Sequence, residues 1–184
     1  MSAGHGHGVE QHGGNKRVAL LIAVLALILA FAETLGKGAQ TGALAYNIEA
    51  SNLWAFFQAK TIRQTVLRTA AEEVEAGGAS EAQKKQAAKW KDTAQRYQSE
   101  PETGEGREQL AARAKEAEKK RDTSMAAYHH YEVASAAVQI AIVLASASII
   151  AEIIALAWVG GALGAIGVAF CVIGFFFPTD VHVF

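Results

Sequence analysis

Two glutamates lie inside stretches of sequence that are otherwise almost entirely apolar. Glu33 is in the run from Val18 to Leu35, and Glu152 is in the run from Val138 to Phe177. A carboxyl group is costly to keep charged within a membrane, so acids at such positions can mark a path for ions or protons. We treat Glu33 and Glu152 as candidate intramembrane acids. The simpler alternative is that each carboxyl group reaches its own membrane surface or bonds a neighbouring helix.

Histidine is the other residue type here that could carry chemistry. His5, His7 and His12, in a Gly-rich segment over residues 1–17, could bind a transition metal weakly, but a disordered tail explains them more simply. His129 and Glu132 have the spacing of some carboxylate–histidine metal sites in helical bundles. Such sites need further acids from facing helices, and the sequence marks none, so interfacial polar residues are the simpler interpretation.

No phosphate-binding loop, zinc-ligand pair, nucleophile elbow or dinucleotide fingerprint occurs in the sequence. We therefore predict no metal, no cofactor and no catalytic residue, and we expect that the protein is not an enzyme. The formal net charge of -1 gives no basic field that would suggest nucleic-acid binding.

The distribution of charge and apolar residues predicts an integral membrane protein. All 17 Lys and Arg residues precede residue 122. About 20 apolar residues suffice to cross a bilayer, and the last apolar block is long enough to do so twice. We predict transmembrane helices at residues 18–36, 137–158 and 161–178, with the turn of the last pair at Trp158–Gly161. Two spans remain the alternative if the last stretch is re-entrant, and we interpret the first run as an anchor rather than a cleaved signal peptide.

The segment between the first two spans predicts a long antiparallel helical hairpin over residues 39–136, so that the fold class is all-α. Its Ala, Glu, Lys and Gln content favours helices. Gly77–Gly78 should interrupt the first helix, and Ser80 followed three residues later by Gln83 predicts a capping box. A Pro- and Gly-containing loop is expected near residues 99–106.

Small residues at spacings of three and four predict a helix-packing seam on each span, because they let helix backbones approach closely. The three seams contain Ala23, Ala26 and Ala30; Ala141, Ala145 and Ser148; and Gly160, Gly164, Gly167 and Gly174.

The first hairpin helix carries two further features. A narrow apolar stripe recurs at helical spacing and contains Ile48, Ala55, Ala59, Ile62, Val66 and Ala70. The aromatic residues Trp54, Phe56 and Phe57 fall on several faces of the same helix. We expect them to pack against other helices of the hairpin or of another subunit. The alternative is that they lie in the membrane interface.

Two long stretches resemble a known family. AETLGKGAQTGALAYNIEASNLWAFFQAKTIRQTVLRTAAE (residues 32–72) and YEVASAAVQIAIVLASASII (residues 131–150) are similar to the bacterial membrane-protein family catalogued as domain of unknown function 4337. The resemblance implies a small bacterial membrane protein with one span, a helical segment and a C-terminal pair of spans. It brings no activity, substrate or catalytic residue.

These features predict a self-associating structural or interaction scaffold in the bacterial inner membrane, because the stripe has too few large residues to stabilise an isolated hairpin strongly. We expect lipid contact and a homo-oligomer, while the sequence leaves any small-molecule or ion ligand unknown. The positive-inside rule weakly favours a cytoplasmic hairpin. The alternative function is an oligomeric channel or transport component that uses the intramembrane glutamates.

Overall fold

The computed structural model of the protein describes the backbone of residues 8–181 and the side chains of residues 16–181. The four helices of this part are α1 (Gly8–Ala76), α2 (Glu81–Gln98), α3 (Arg107–Ala151) and α4 (Ile154–Phe176), and it contains no strand. Helices α1, α3 and α4 each contain a stretch long and apolar enough to cross a membrane. The all-α class and the three candidate spans are therefore confirmed.

Helix α1 is longer than the sequence suggested. It begins at Gly8, within the segment predicted to be a disordered tail, and it continues through Gly36 and Gly38 without a break. A Cβ atom added at Gly36 would lie 3.3 Å from the Cβ atom of Tyr131, so this glycine permits close contact with α3. His5, His7 and His12, for which weak metal binding was the less favoured alternative, lie outside the residues whose side chains are described.

The chain forms two compact units. The span unit contains the described residues up to Ala43 and from Thr123 onward, and the charged unit is Leu44–Asp122. In the span unit, α3 and α4 pack antiparallel, since Gly160 lies against Ala141 whereas Gly174 lies against His130. The core of this unit is apolar and comes from all three helices: Val18, Leu25, Val138, Ala141, Ala145 and Ala157.

The turn between the last two spans differs from the prediction. Helix α3 ends at Ala151, Glu152 adopts a left-handed backbone conformation with φ of 56°, and Ile153 precedes α4. Trp158–Gly161 is inside α4. The helices therefore end and begin at other residues than the predicted spans at 137–158 and 161–178, and where the chain crosses a membrane stays a prediction. Gly160 of this segment serves helix packing instead, and the chain reverses at a charged residue.

In the charged unit, α2 and the first part of α3 both pack against α1. Lys91 pairs with Glu75 at 2.7 Å, and Gln64 donates to the carbonyl oxygen of Ala94 at 3.0 Å. Farther toward the start of α1, Leu53 clusters with Leu110 and Ala114. Residues farther along α2 and α3 therefore contact residues nearer the start of α1, so both helices run antiparallel to α1. The chain thus returns along α1 in two consecutive helices joined by the loop over residues 99–106.

Local sequence explains how the returning chain begins. Gly78 adopts a left-handed conformation with φ of 74°, which a residue without a Cβ atom tolerates at little cost. Ser80 then caps α2, since its hydroxyl accepts from the Gln83 backbone while the Gln83 side chain accepts from the Ser80 backbone. The predicted glycine interruption and capping box are both confirmed. The reversal therefore lies at Gly77–Gly78, and not at the loop near residues 99–106.

Two polar side chains occupy the buried face of α1 in the charged unit. Gln64 donates to Gln98 as well as to Ala94, and it accepts a hydrogen bond from Arg107. Lys60 approaches the carboxylate of Glu105 at 3.6 Å and that of Glu100 at 4.0 Å. Because charged and polar groups are costly to bury without partners, these contacts fix how the helices meet.

An exposed ion pair holds the start of the interhelical loop. Arg96 donates to Glu100 at 2.6 Å, and Thr103 donates to the same carboxylate at 3.0 Å. The hydrogen bond from Arg96 is the main reason that the pKa of the Glu100 carboxyl lies below its usual range, with Thr103 contributing next. The ionised carboxylate is therefore the form that supports this loop.

Candidate functional site

A polar groove lies between α1 and α3 in the span unit, with a volume of about 440 Å³. Helix α1 supplies Glu33, Lys37 and Gln40, whose spacings of four and three place them on one side of that helix. Helix α3 supplies the other polar residues of the lining: Tyr128, Glu132, Ser135 and Gln139.

Hydrogen bonds link the two sides of this groove. The Gln139 amide donates to Glu33 Oε1 at 3.4 Å and to Ser135 Oγ at 3.1 Å. The Tyr128 hydroxyl donates to Glu132 Oε1 at 3.5 Å. The floor is made by small or aromatic residues, since Ala32, Gly36 and Tyr131 are buried there.

The groove brings two carboxylates, one ammonium and two amides to an exposed surface. Glu33, Lys37 and Glu132 are all exposed in this chain. Such a set suits a hydrated cation or a polar molecule that can both donate and accept hydrogen bonds. No group of three or more His, Cys, Asp or Glu residues at metal-binding distance occurs among the described residues.

The two candidate intramembrane acids are not brought together. Glu33 bonds Gln139, whereas Glu152 is exposed in the turn after α3. The intervening part of α3 corresponds to a rise of about 20 Å. Glu152 therefore lies in a turn and not on the seam of a helix, and its position within the membrane stays a prediction. A turn gives a charged residue access to water that a span interior would not give.

The two adjacent histidines have different surroundings. His129 Nδ1 lies 3.7 Å from Glu132 Oε2, and both side chains are largely exposed. His130 is 1% exposed, and its ring stacks on Phe170 at 6.1 Å between centroids. Its Nδ1 has no hydrogen-bond partner among the described residues. The burial of His130 was not predicted from the sequence, where only the spacing of His129 and Glu132 suggested a site.

The predicted packing seams differ in where they face. The α3 seam of Ala141, Ala145 and Ser148 is buried, as is the α4 seam of Gly160, Gly164, Gly167 and Gly174. The α1 seam of Ala23, Ala26 and Ala30 is exposed. Within one chain, α1 instead packs through a heptad-spaced face containing Val18, Leu25 and Ala32. Packing of the exposed seam against another copy stays a prediction.

The aromatic residues of α1 contact other groups of the charged unit. The Trp54 indole donates to Glu118 at 2.9 Å, and its ring meets that of Phe57 edge-on at 5.4 Å. The Arg107 guanidinium lies 4.8 Å from the Phe57 ring centroid. Phe56 is more exposed and lies 5.3 Å from the Lys60 ammonium. Trp54 and Phe57 therefore pack between helices.

Four polar groove residues were not predicted from the sequence, although their spacing carried a signal: Lys37, Gln40, Ser135 and Gln139. Glu132, Ser135 and Gln139 follow one another at three and four residues, which defines one side of α3. Glu33, Lys37 and Gln40 repeat this pattern on α1. These two polar rows were not predicted, because Glu33 was interpreted as a single acid rather than as one member of a row.

Comparison with curated proteins and with solved structures gives no significant match. One family model matches residues 14–177, which include all of the polar groove and the whole charged unit. Its description names no activity. The chain belongs to the family described as Domain of unknown function (DUF4337).

Proposed function

We propose that the protein is a membrane-anchored scaffold that self-associates through α1. The observation that carries this proposal is an apolar stripe that this chain leaves uncovered. Leu44, Ile48, Ile62 and Val66 are each at least half exposed, and Ala55 lies exposed between them. Most of this stripe was predicted from the sequence, and its exposure supports a role between chains rather than within one.

The stripe lies on the side of α1 opposite to the face that packs in the charged unit. The buried face contains Leu53, Lys60, Gln64 and Ala71. At 3.6 residues per turn, Ile62 and Val66 point about 180° away from it. Heptad-like spacing of exposed apolar residues is the pattern by which helices associate side by side. A second copy of α1 supplies a matching surface, and closed symmetry satisfies both copies.

Replacing both Ile48 and Ile62 with lysine should reduce the proportion of oligomer at least about tenfold, because each lysine puts a charge into an apolar contact. The measurement is the mass of the full chain in mild detergent, by light scattering and native mass spectrometry. The matched control is Ala45→Lys, which adds a lysine to an exposed position on another side of the same helix.

A monomeric wild-type chain at every protein concentration would contradict the scaffold proposal. An oligomer that the double lysine variant leaves intact would place the contact elsewhere and remove the stripe from it. Loss of vesicle binding without a change in mass would assign the stripe to the membrane surface instead. Circular dichroism should give equal helix content for all three proteins, because the replaced side chains are exposed.

We place the protein in a bacterial inner membrane with the charged unit in the cytoplasm. Three candidate spans and the positive-inside rule support this placement. Labelling of Thr103→Cys in a Cys171→Ser background tests it, because a membrane-impermeant maleimide should react only after the membrane is opened. Reaction in intact cells would reverse the orientation.

A second candidate function is an oligomeric channel or transport component. The polar groove supports it, because Glu33, Lys37 and Gln139 are next to apolar helices in a unit built from candidate spans. If the groove carries cations, Glu33→Gln should lower cation flux into liposomes about tenfold, since a ring of carboxylates sets cation preference in such pores. Lys84→Gln, in the charged unit, is the control. Absence of flux through the wild-type protein would exclude this candidate.

A further inference from the structure

A second cavity in the span unit has a different character from the polar groove. Its volume is about 400 Å³, and it opens between the start of the apolar part of α1 and the start of α4. Its walls are almost wholly apolar and include Leu21, Ile154 and Trp158. The exception is Arg17, an exposed cation at one edge.

The cavity is open rather than filled by a neighbouring side chain. A Cβ atom added at Gly161 would meet no atom within 4 Å, whereas one added at the adjacent Gly160 would lie 2.8 Å from the carbonyl oxygen of Ala141. The two glycines therefore do different things. Gly160 lets α4 approach α3, and Gly161 leaves room along the wall of the cavity.

Positive charge is concentrated where this cavity begins. Lys16 adjoins Arg17, and both side chains are exposed. The first backbone N–H groups of a helix lack helical acceptors and favour anions. Ile154 begins α4, lines the cavity, and follows an N-cap residue whose side chain makes no capping bond. Glu152 lies in the adjoining turn, two residues before Ile154.

We infer that the Arg17–Trp158 cavity is a binding site for a phospholipid with an anionic headgroup. Arg17 and the start of α4 would contact the phosphate, and an acyl chain would lie along Leu21 and Gly161. Trp158 is 77% exposed, and an indole at this position is typical of residues at the level of lipid headgroups. A soluble anion would leave the apolar walls unoccupied, so the combination of charge and apolar depth favours a lipid.

The test is native mass spectrometry of the full chain in detergent with added phosphatidylglycerol or phosphatidylcholine. We expect preferential retention of phosphatidylglycerol. Arg17→Gln should weaken this retention about fivefold, as expected for one basic residue at an anionic lipid surface. Gly161→Leu should block retention by filling the cavity. The matched controls are Lys37→Gln, a cation of the polar groove, and Val159→Leu, which adds bulk to an exposed position of α4.

Equal retention of both lipids by the wild-type protein would overturn the inference. So would unchanged phosphatidylglycerol retention in both Arg17→Gln and Gly161→Leu. Displacement of the lipid by inorganic phosphate would show that the site takes a phosphate group alone, which also contradicts a lipid site. Because Arg17 is exposed, Arg17→Gln keeps the test valid even if Gly161→Leu alters the fold. Lipid binding can succeed or fail independently of self-association, which is measured by subunit mass.

Discussion

Replacing Gly160 with leucine is expected to destabilise the span unit by about 3 kcal/mol, at the upper end of typical overpacking effects. A Cβ atom at this position would lie 2.8 Å from the Ala141 carbonyl oxygen and 3.4 Å from the Ala145 backbone nitrogen. Both are backbone atoms of α3, so no side chain can rotate to make room. Either α4 moves away from α3, or the helices separate more readily in denaturant.

The measurement is resistance to denaturation of the detergent-solubilised chain, followed by circular dichroism. Gly161→Leu is the matched control, since its Cβ atom meets nothing within 4 Å. Gly164→Ala should have a smaller effect than Gly160→Leu, because the nearest atom is the flexible end of Leu25. Equal stability of the two leucine variants would show that α4 does not pack closely against α3 at Gly160.

The second large effect is expected at Gln64 in the charged unit. Gln64→Leu should destabilise this unit by about 3 kcal/mol, because hydrogen bonds to charged groups contribute more than neutral ones and Arg107 would keep only its bond to Gln98. Gln64 is 3% exposed and bonds Gln98, Ala94 and Arg107. The loss would be largest for Arg107, whose Nε already has no partner among the described residues.

Urea denaturation followed by circular dichroism measures this effect, with Gln58→Leu as the control at an exposed position of α1. The variant Gln64→Leu/Arg107→Met should recover part of the lost stability, because it also removes the charge that has lost one of its two acceptors. A Gln64→Leu protein as stable as Gln58→Leu would show that the polar network does not hold the helices together. Failure of the double variant to recover stability would instead assign the loss to the contact with Gln98 and Ala94.

Features that depend on neighbouring residues were predictable from the sequence. The capping box at Ser80 and Gln83 and the glycine break at Gly77–Gly78 act within a few residues, so their chemistry is visible in the chain itself. The three apolar runs likewise follow from composition, since the length of a bilayer span sets the number of residues required.

Which side of a helix meets a partner could not be predicted so well. Both the stripe at Ile48 and Ile62 and the row at Leu53 and Gln64 have helical spacing, and the sequence favoured the more apolar one. The structure buries the second row instead. The cost of burying the Gln64 amide is offset by hydrogen bonds to Gln98 on α2 and Arg107 on α3, which are distant from it in sequence.

The sequence by itself determined that the chain is helical, that three helices can span a membrane and that no Lys or Arg follows Arg121, because these properties come from local composition and length. Only the tertiary structure decided the role of each glycine and acid. Gly160 packs while Gly161 leaves a cavity open, and Glu33 enters a groove while Glu152 lies in a turn. Each of these differences depends on the atoms that a neighbouring helix packs against the residue. The spacing of residues along one helix does not reveal those atoms.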